Sequence, residues 1–140
     1  MNVELYRKYN VAGPRYTSYP TVPYWDLSPT PEQWIQALRG SLDKAQTENT
    51  GAAIYVHIPF CESLCTYCGC NTRITRNHAV SGPYIQTVLK EFDLYREQLG
   101  MSGKKLKLSE LHFGGGTPTF FTPDELNQIL SGLLEHLSLK

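Results

Sequence analysis

The run HIPFCESLCTYCGC, residues 57–70, decides the reading of this chain, because Cys61, Cys65 and Cys68 stand in it at C-x3-C-x2-C spacing. Three thiolates packed this closely reach one metal centre only from a tight loop. Cysteine sulfur is a soft ligand, so zinc or an iron–sulfur cluster is the natural occupant. Structural zinc and ordinary electron-transfer clusters take four protein ligands. This loop offers three at regular spacing, with a further thiol, Cys70, just past Cys68. A cubane held by three thiolates keeps one iron open, and an open position is where a substrate or cofactor binds. A zinc knuckle that adds His57, His78 or Cys70 is the rival use of the same residues. A disulfide framework fits less well, since no apolar signal stretch opens the chain and no cysteine lies outside the cluster.

The chain has 140 residues, enough for one domain with its own core. Lysine and arginine number 13 and so do aspartate and glutamate, giving zero net charge. That balance removes the sequence-independent drive toward nucleic acid or anionic lipid. No run of about 18 apolar residues is present, so no membrane span is expected. Free cysteines without an export signal point to a reducing compartment, and cytoplasmic localisation is the expectation.

Outward from the cysteine run, the chain divides near residue 50 into an N-terminal arm with a helix (1–50) and an α/β unit (51–140). Residues 1 to about 30 read as an extended arm, for VAGPRYTSYPTVPYW mixes prolines and aromatics with no helical or strand period. Thr30, Pro31 and Gln33 form an N-cap, first helical residue and capping-box partner. Trp34, Ile35, Leu38 and Leu42 then give a helix ending near Ala45. AAIYVHI, Ala52 to Ile58, reads as a buried strand that Pro59 stops. Ser81 and Pro83 open a second helix that closes at Gly100. A second strand, roughly Leu106 to Phe113, runs straight into Gly114, Gly115 and Gly116. Thr122, Pro123 and Glu125 start a third helix carrying Leu126, Ile129, Leu130, Leu133, Leu134 and Leu137.

Strands alternating with helices indicate two parallel βα units, and ligands gather beyond the carboxyl ends of such strands. The cysteine loop and the glycine loop both leave from those ends and are expected to face one pocket. GGGTPT lacks the lysine of a phosphate loop and the spacing of a dinucleotide fingerprint. Its glycines leave backbone N–H and C=O groups uncovered for a small polar ligand such as an amino acid moiety, though a plain tight turn explains them too. Gly115→Val or Gly116→Val is expected to weaken ligand binding while the cysteine loop stays loaded. His57 and His112, on or beside strands, read as structural histidines; His78 is the likelier zinc partner.

C-x3-C-x2-C after one strand with GGGTP after the next resembles the radical S-adenosylmethionine superfamily. YVHIPFC at residues 55–61, the extra CGC with Cys70, HFGGGTPT at 112–119 and GPRYTSYPT at 13–21 look like the oxygen-independent coproporphyrinogen III oxidase family within it. The haem-chaperone-like branch, which binds haem without oxidase activity, shares HIPFC and GGGTP and is the alternative. The resemblance implies an α/β fold: the first part of a partial (β/α)6 TIM-like barrel, preceded by the arm and helix. It implies a [4Fe–4S] cluster on Cys61, Cys65 and Cys68, with S-adenosylmethionine chelated to the fourth iron. It also implies oxidative decarboxylation of two propionates of coproporphyrinogen III to the vinyls of protoporphyrinogen IX. Tyr55, Gly115, Gly116 and Thr117 would contact S-adenosylmethionine. Tyr67 would pack on its adenine or on a second cofactor molecule that the family is thought to hold. Cys70 reads as a pocket thiol with a catalytic or redox role, or as a small packed residue. Arg15, Tyr16 and Tyr19 suit an acidic, flat tetrapyrrole, since arginine pairs with carboxylates; packing of the arm explains them as well. An electron donor is the further partner, and a monomer the expected state of the full-length protein. With just two βα units in hand, the chain is expected to be an incomplete domain, inactive and aggregation-prone by itself.

Overall fold

A computed structural model of the chain describes residues 3–10 and 28–139. Helix α1 (Val3–Tyr9) falls within the stretch expected to be extended. It contains neither proline nor glycine, and Glu4 in its first turn and Arg7 and Lys8 in its last complement the helix dipole. Helix α2 (Pro31–Thr47) begins at the expected capping box: Gln33 N donates to Thr30 Oγ1 at 3.3 Å and Thr30 N to Gln33 Oε1 at 2.9 Å. None of its residues is fully buried. It lies against the helix that follows the cysteine loop, where Trp34 Nε1 donates to Tyr95 Oη at 3.1 Å and Arg39 Nη2 to the Gln98 carbonyl at 2.9 Å.

Gly51, with φ at 84°, turns the chain into β1 (Ala52–Ile58). A Cβ at Gly51 would sit 3.0 Å from the Ser109 nitrogen, so only glycine permits this entry. Two-residue strands β2 (Phe60–Cys61) and β3 (Arg73–Ile74) bracket the cysteine loop and pair in parallel. A short 3-10 turn (His78–Val80) then leads into α3 (Ser81–Gln98), followed by β4 (Leu106–Gly115), a second 3-10 turn (Pro118–Phe120), α4 (Pro123–Leu134) and β5 (Leu137–Leu139). The α4 capping box closes as expected, with Glu125 N donating to Thr122 Oγ1 and Thr122 N to Glu125 Oε2.

The main sheet has the order β1-β4-β5, parallel throughout, with Val56 opposite Phe113, Ile58 opposite Gly115 and Leu106 opposite Leu137. Two expectations are corrected here. The third helix does not carry Leu137: it stops at Leu134, and Leu137 begins a third strand, so the sheet is not two-stranded. The physical reason is non-local, since pairing with β4 and burial of Leu137 to 4% exposure outweigh the continuing leucine period. Nor is β1 buried on both faces. Val56 and Ile58 are buried on one face, while Ala53 and Tyr55 on the other are exposed, because α3 and α4 cover a single side. The core gathers Val56, Ile58 and Leu108 from the sheet, Ile85 from α3, Ile129 and Leu133 from α4, and Phe60, Phe120 and Phe121 at the carboxyl edge. Fully burying such a side chain contributes about 1.5–3 kcal/mol. No helix among the described residues is long and apolar enough to cross a membrane.

Candidate functional site

The carboxyl ends of β1 and β4 lie side by side, and both unusual loops leave from them. Gly116 N donates to the Ile58 carbonyl at 2.7 Å and Thr117 N to the Phe60 carbonyl at 2.9 Å. The glycine loop is thereby sewn along the root of the cysteine loop. A Cβ on Gly116 would lie 2.8 Å from Cys61 Sγ and from the Phe60 carbonyl oxygen. Gly115, at φ 106°, would put one 2.7 Å from the Ile58 oxygen. These contacts change two sequence expectations. The N–H groups of Gly116 and Thr117 are spent within the protein, so they are not uncovered donors for a ligand. A valine at residue 116 would also invade the cysteine loop itself, so it does not separate ligand binding from metal loading.

The cysteine loop is tied at its base. Arg73 N donates to the Pro59 carbonyl at 2.7 Å and Thr75 N to the Cys61 carbonyl at 2.8 Å, and across the loop Cys68 N reaches the Cys65 carbonyl at 3.1 Å. Cys61 is buried and its Sγ accepts from Thr117 Oγ1 at 3.3 Å, whereas Cys65, Cys68 and Cys70 are exposed. All four thiols, Tyr67, Gly115, Gly116 and Thr117 line one cavity of about 340 Å3. The structure thus brings the two loops together.

Tyr55 does not line that cavity. It stands on the open face of the sheet, 57% exposed and stacked on His112 with ring centroids 5.7 Å apart. His57 Nε2 donates to the Asn71 carbonyl at 2.8 Å, which leaves Nδ1 to accept from the Tyr55 hydroxyl at 3.1 Å. Both ring nitrogens are therefore engaged, Nε2 with the far end of the cysteine loop and Nδ1 with Tyr55 on the same strand. Below His57, Tyr84 donates its hydroxyl to the His57 carbonyl. Burial, then the Glu91 carboxylate, then Tyr55 push the Tyr84 phenol above its ordinary value. His78 turns away from the thiols: its Nε2 bonds Glu62 Oε1 at 2.9 Å and its ring stacks on Phe120. Arg15, Tyr16 and Tyr19 lie outside the described residues.

Among the described residues no three His, Cys, Asp or Glu side chains are drawn together as a group that could hold a metal ion. Soft thiols lining one cavity suit an iron–sulfur cluster by donor type, as they suit zinc. Sequence reasoning overlooked the β2–β3 clasp, Asn71 and Glu62. The aromatic packing at this edge had a signal, for Phe60 immediately precedes Cys61 and Phe120 and Phe121 follow GGGTPT.

No family profile matches the chain. It is 38% identical over 138 residues to oxygen-independent coproporphyrinogen III oxidase from Pseudomonas aeruginosa, covering 99% of this chain and 28% of that protein. It is 35% identical over 123 residues to the protein of the same name from Bradyrhizobium diazoefficiens, 86% of this chain and 25% of the relative. Among solved structures, coproporphyrinogen III oxidase from Escherichia coli, described as a radical SAM enzyme, superposes with a TM-score of 0.71 at 28% identity. That match covers 98% of this chain and 28% of the solved one. The α/β fold with parallel strands is therefore that of part of this enzyme, and the chain spans about a quarter of the length of the relatives it matches.

Proposed function

We propose that this chain is part of an oxygen-independent coproporphyrinogen III oxidase and supplies its cluster loop and part of its S-adenosylmethionine site. The observation that carries the proposal is the shared cavity at the carboxyl edge, where four thiols meet the glycine loop. The two relatives and the solved enzyme support the substrate class. Cys61, Cys65 and Cys68 would each hold one iron of a [4Fe–4S] cluster. The cluster and S-adenosylmethionine together supply radical chemistry, through which two propionates of coproporphyrinogen III become the vinyls of protoporphyrinogen IX.

The chain's own residues bind, orient and shield. Thr117 Oγ1 donates to Cys61 Sγ and so ties the first thiol of the cysteine loop to the glycine loop. With the Gly116 and Thr117 N–H groups already bonded, any main-chain contact of the loop to the amino group of a bound amino acid moiety would come from its carbonyl oxygens. Tyr67, 80% exposed on the cavity rim, presents a ring for adenine or a second cofactor molecule. Tyr55 would meet only a ligand long enough to extend past the cavity onto the open sheet face. Cys70, which lines the same cavity, would have a catalytic or redox role. Arg15 would pair with the tetrapyrrole carboxylates, and Tyr16 and Tyr19 would stack on its flat rings. Residues 51–140 would supply βα units of the enzyme's core, with residues 1–50 as a separate N-terminal segment. A cytoplasmic monomer served by an electron donor completes the proposal.

The full-length protein, purified and reconstituted without oxygen, should contain iron and sulfide. With a reductant, S-adenosylmethionine and coproporphyrinogen III it should release 5′-deoxyadenosine and vinyl-bearing product. Zinc without iron or sulfide would overturn the reading. A haem absorption band without vinyl product would replace it with the chaperone-like one.

A further inference from the structure

His78 touches both loops without lining the cavity between them. Its Nε2 donates to Glu62 Oε1 at 2.9 Å, on the residue that follows Cys61. Its ring lies nearly parallel to Phe120, at 9° with centroids 4.2 Å apart. Phe120 ends the 3-10 turn that follows the glycine loop, is only 4% exposed, and packs on Phe60 at 5.2 Å. One imidazole therefore joins the opening of the cysteine loop to the exit of the glycine loop. The His78 and Glu62 side chains are 47% and 60% exposed, and a pair so open to water adds little as an ion pair. Its effect is geometric. The bonds from Gly116 and Thr117 to Ile58 and Phe60 hold the two loops only at their roots, while His78 ties them further out, past Cys61 on one side and past Thr117 on the other.

We infer that His78 is a positioning residue, a clamp that sets the width of the cavity between the cysteine loop and the glycine loop. For its ligand the inference rests on the proposed function; for the clamp itself it rests on the Glu62–His78–Phe120 contacts alone. The clamp makes the loops respond to one another, so a change at Glu62 is felt at Phe120 through the His78 ring.

Hydrogen exchange on the full-length protein without metal tests this directly. Glu62→Ala, which removes the acceptor at an exposed position, should speed exchange of amides at residues 119–121 about fivefold, while the β1–β4 ladder stays protected. His78→Phe keeps a ring for Phe120 and removes the donor to Glu62; adding Glu62→Ala to it should then change nothing further. Faster exchange confined to the cysteine loop, or additive effects of the two substitutions, would overturn the clamp. In the reconstituted protein, both single variants should bind S-adenosylmethionine about fivefold more weakly at unchanged iron content and visible spectrum. Unchanged affinity would remove the cavity-setting role. If the unsubstituted protein takes up no iron and sulfide, the proposed function fails, and the exchange measurement still decides the clamp.

Discussion

Cys61 differs from the other thiols in being buried and in having a hydroxyl donor, Thr117 Oγ1. Cys65 and Cys68 are exposed, and so is Cys70. Serine at residue 61, 65 or 68 should each abolish iron and sulfide retention, while Cys70→Ser should retain both, as measured by metal analysis after reconstitution. Equal loss in all four would make Cys70 a ligand. Tyr84 lends itself to a stability test. Tyr84→Phe removes its bond to the His57 carbonyl and should cost about 1 kcal/mol at neutral pH. Because the folded-state phenol is held above its ordinary value of about 10, its contribution is complete below that pH and is lost as pH rises through the raised value. Urea titrations should show the gap between the unsubstituted protein and the Tyr84→Phe variant narrowing only on the alkaline side. The thiols could be read from their spacing, because three ligands in one loop are a local pattern. Asn71 could not, because it acts through a backbone carbonyl that any residue would supply.

At the scale of elements, the helix starts were legible for the same reason. Thr30 with Gln33 and Thr122 with Glu125 are closed within one turn, so the sequence carries the whole interaction. The end of α4 was not. Leu126, Ile129, Leu130, Leu133 and Leu137 keep a helical period, and only the partner strand reveals that Leu137 has left the helix. Strands β2 and β3 escaped because two residues hold no period at all. Helix α1 escaped because the proline-rich residues after it dominated the reading of the whole arm. Leu137→Ala should lower the unfolding free energy by about 2–5 kcal/mol with an unchanged urea m-value, since it empties a core position and leaves the fold in place. A cost near zero would mean that β5 is not docked.

For the molecule as a whole, one contiguous core underlies both the helices and the loop-bearing edge. Ile58 and Ile129 are both 0% exposed members of that core, on different elements. The Ile58 carbonyl receives Gly116 N and its neighbours begin the cysteine loop, whereas Ile129 belongs to α4. Alanine at either residue should cost a similar amount, about 2–5 kcal/mol. Only Ile58→Ala should also hasten iron loss to a chelator at temperatures where both variants are folded. Equal release from the two would mean that the edge is not specifically rooted in Ile58. The tie between β2 and β3 bears on how the cysteine loop closes. Pro59 and Cys61 on one limb are bonded to Arg73 and Thr75 on the other by main-chain contacts that involve no thiol. The ends of the loop are joined by the polypeptide itself, so part of the entropy of closing it is offset by main-chain bonds and not by ligation alone. A group bound at the thiols would have only the interior of the loop left to order.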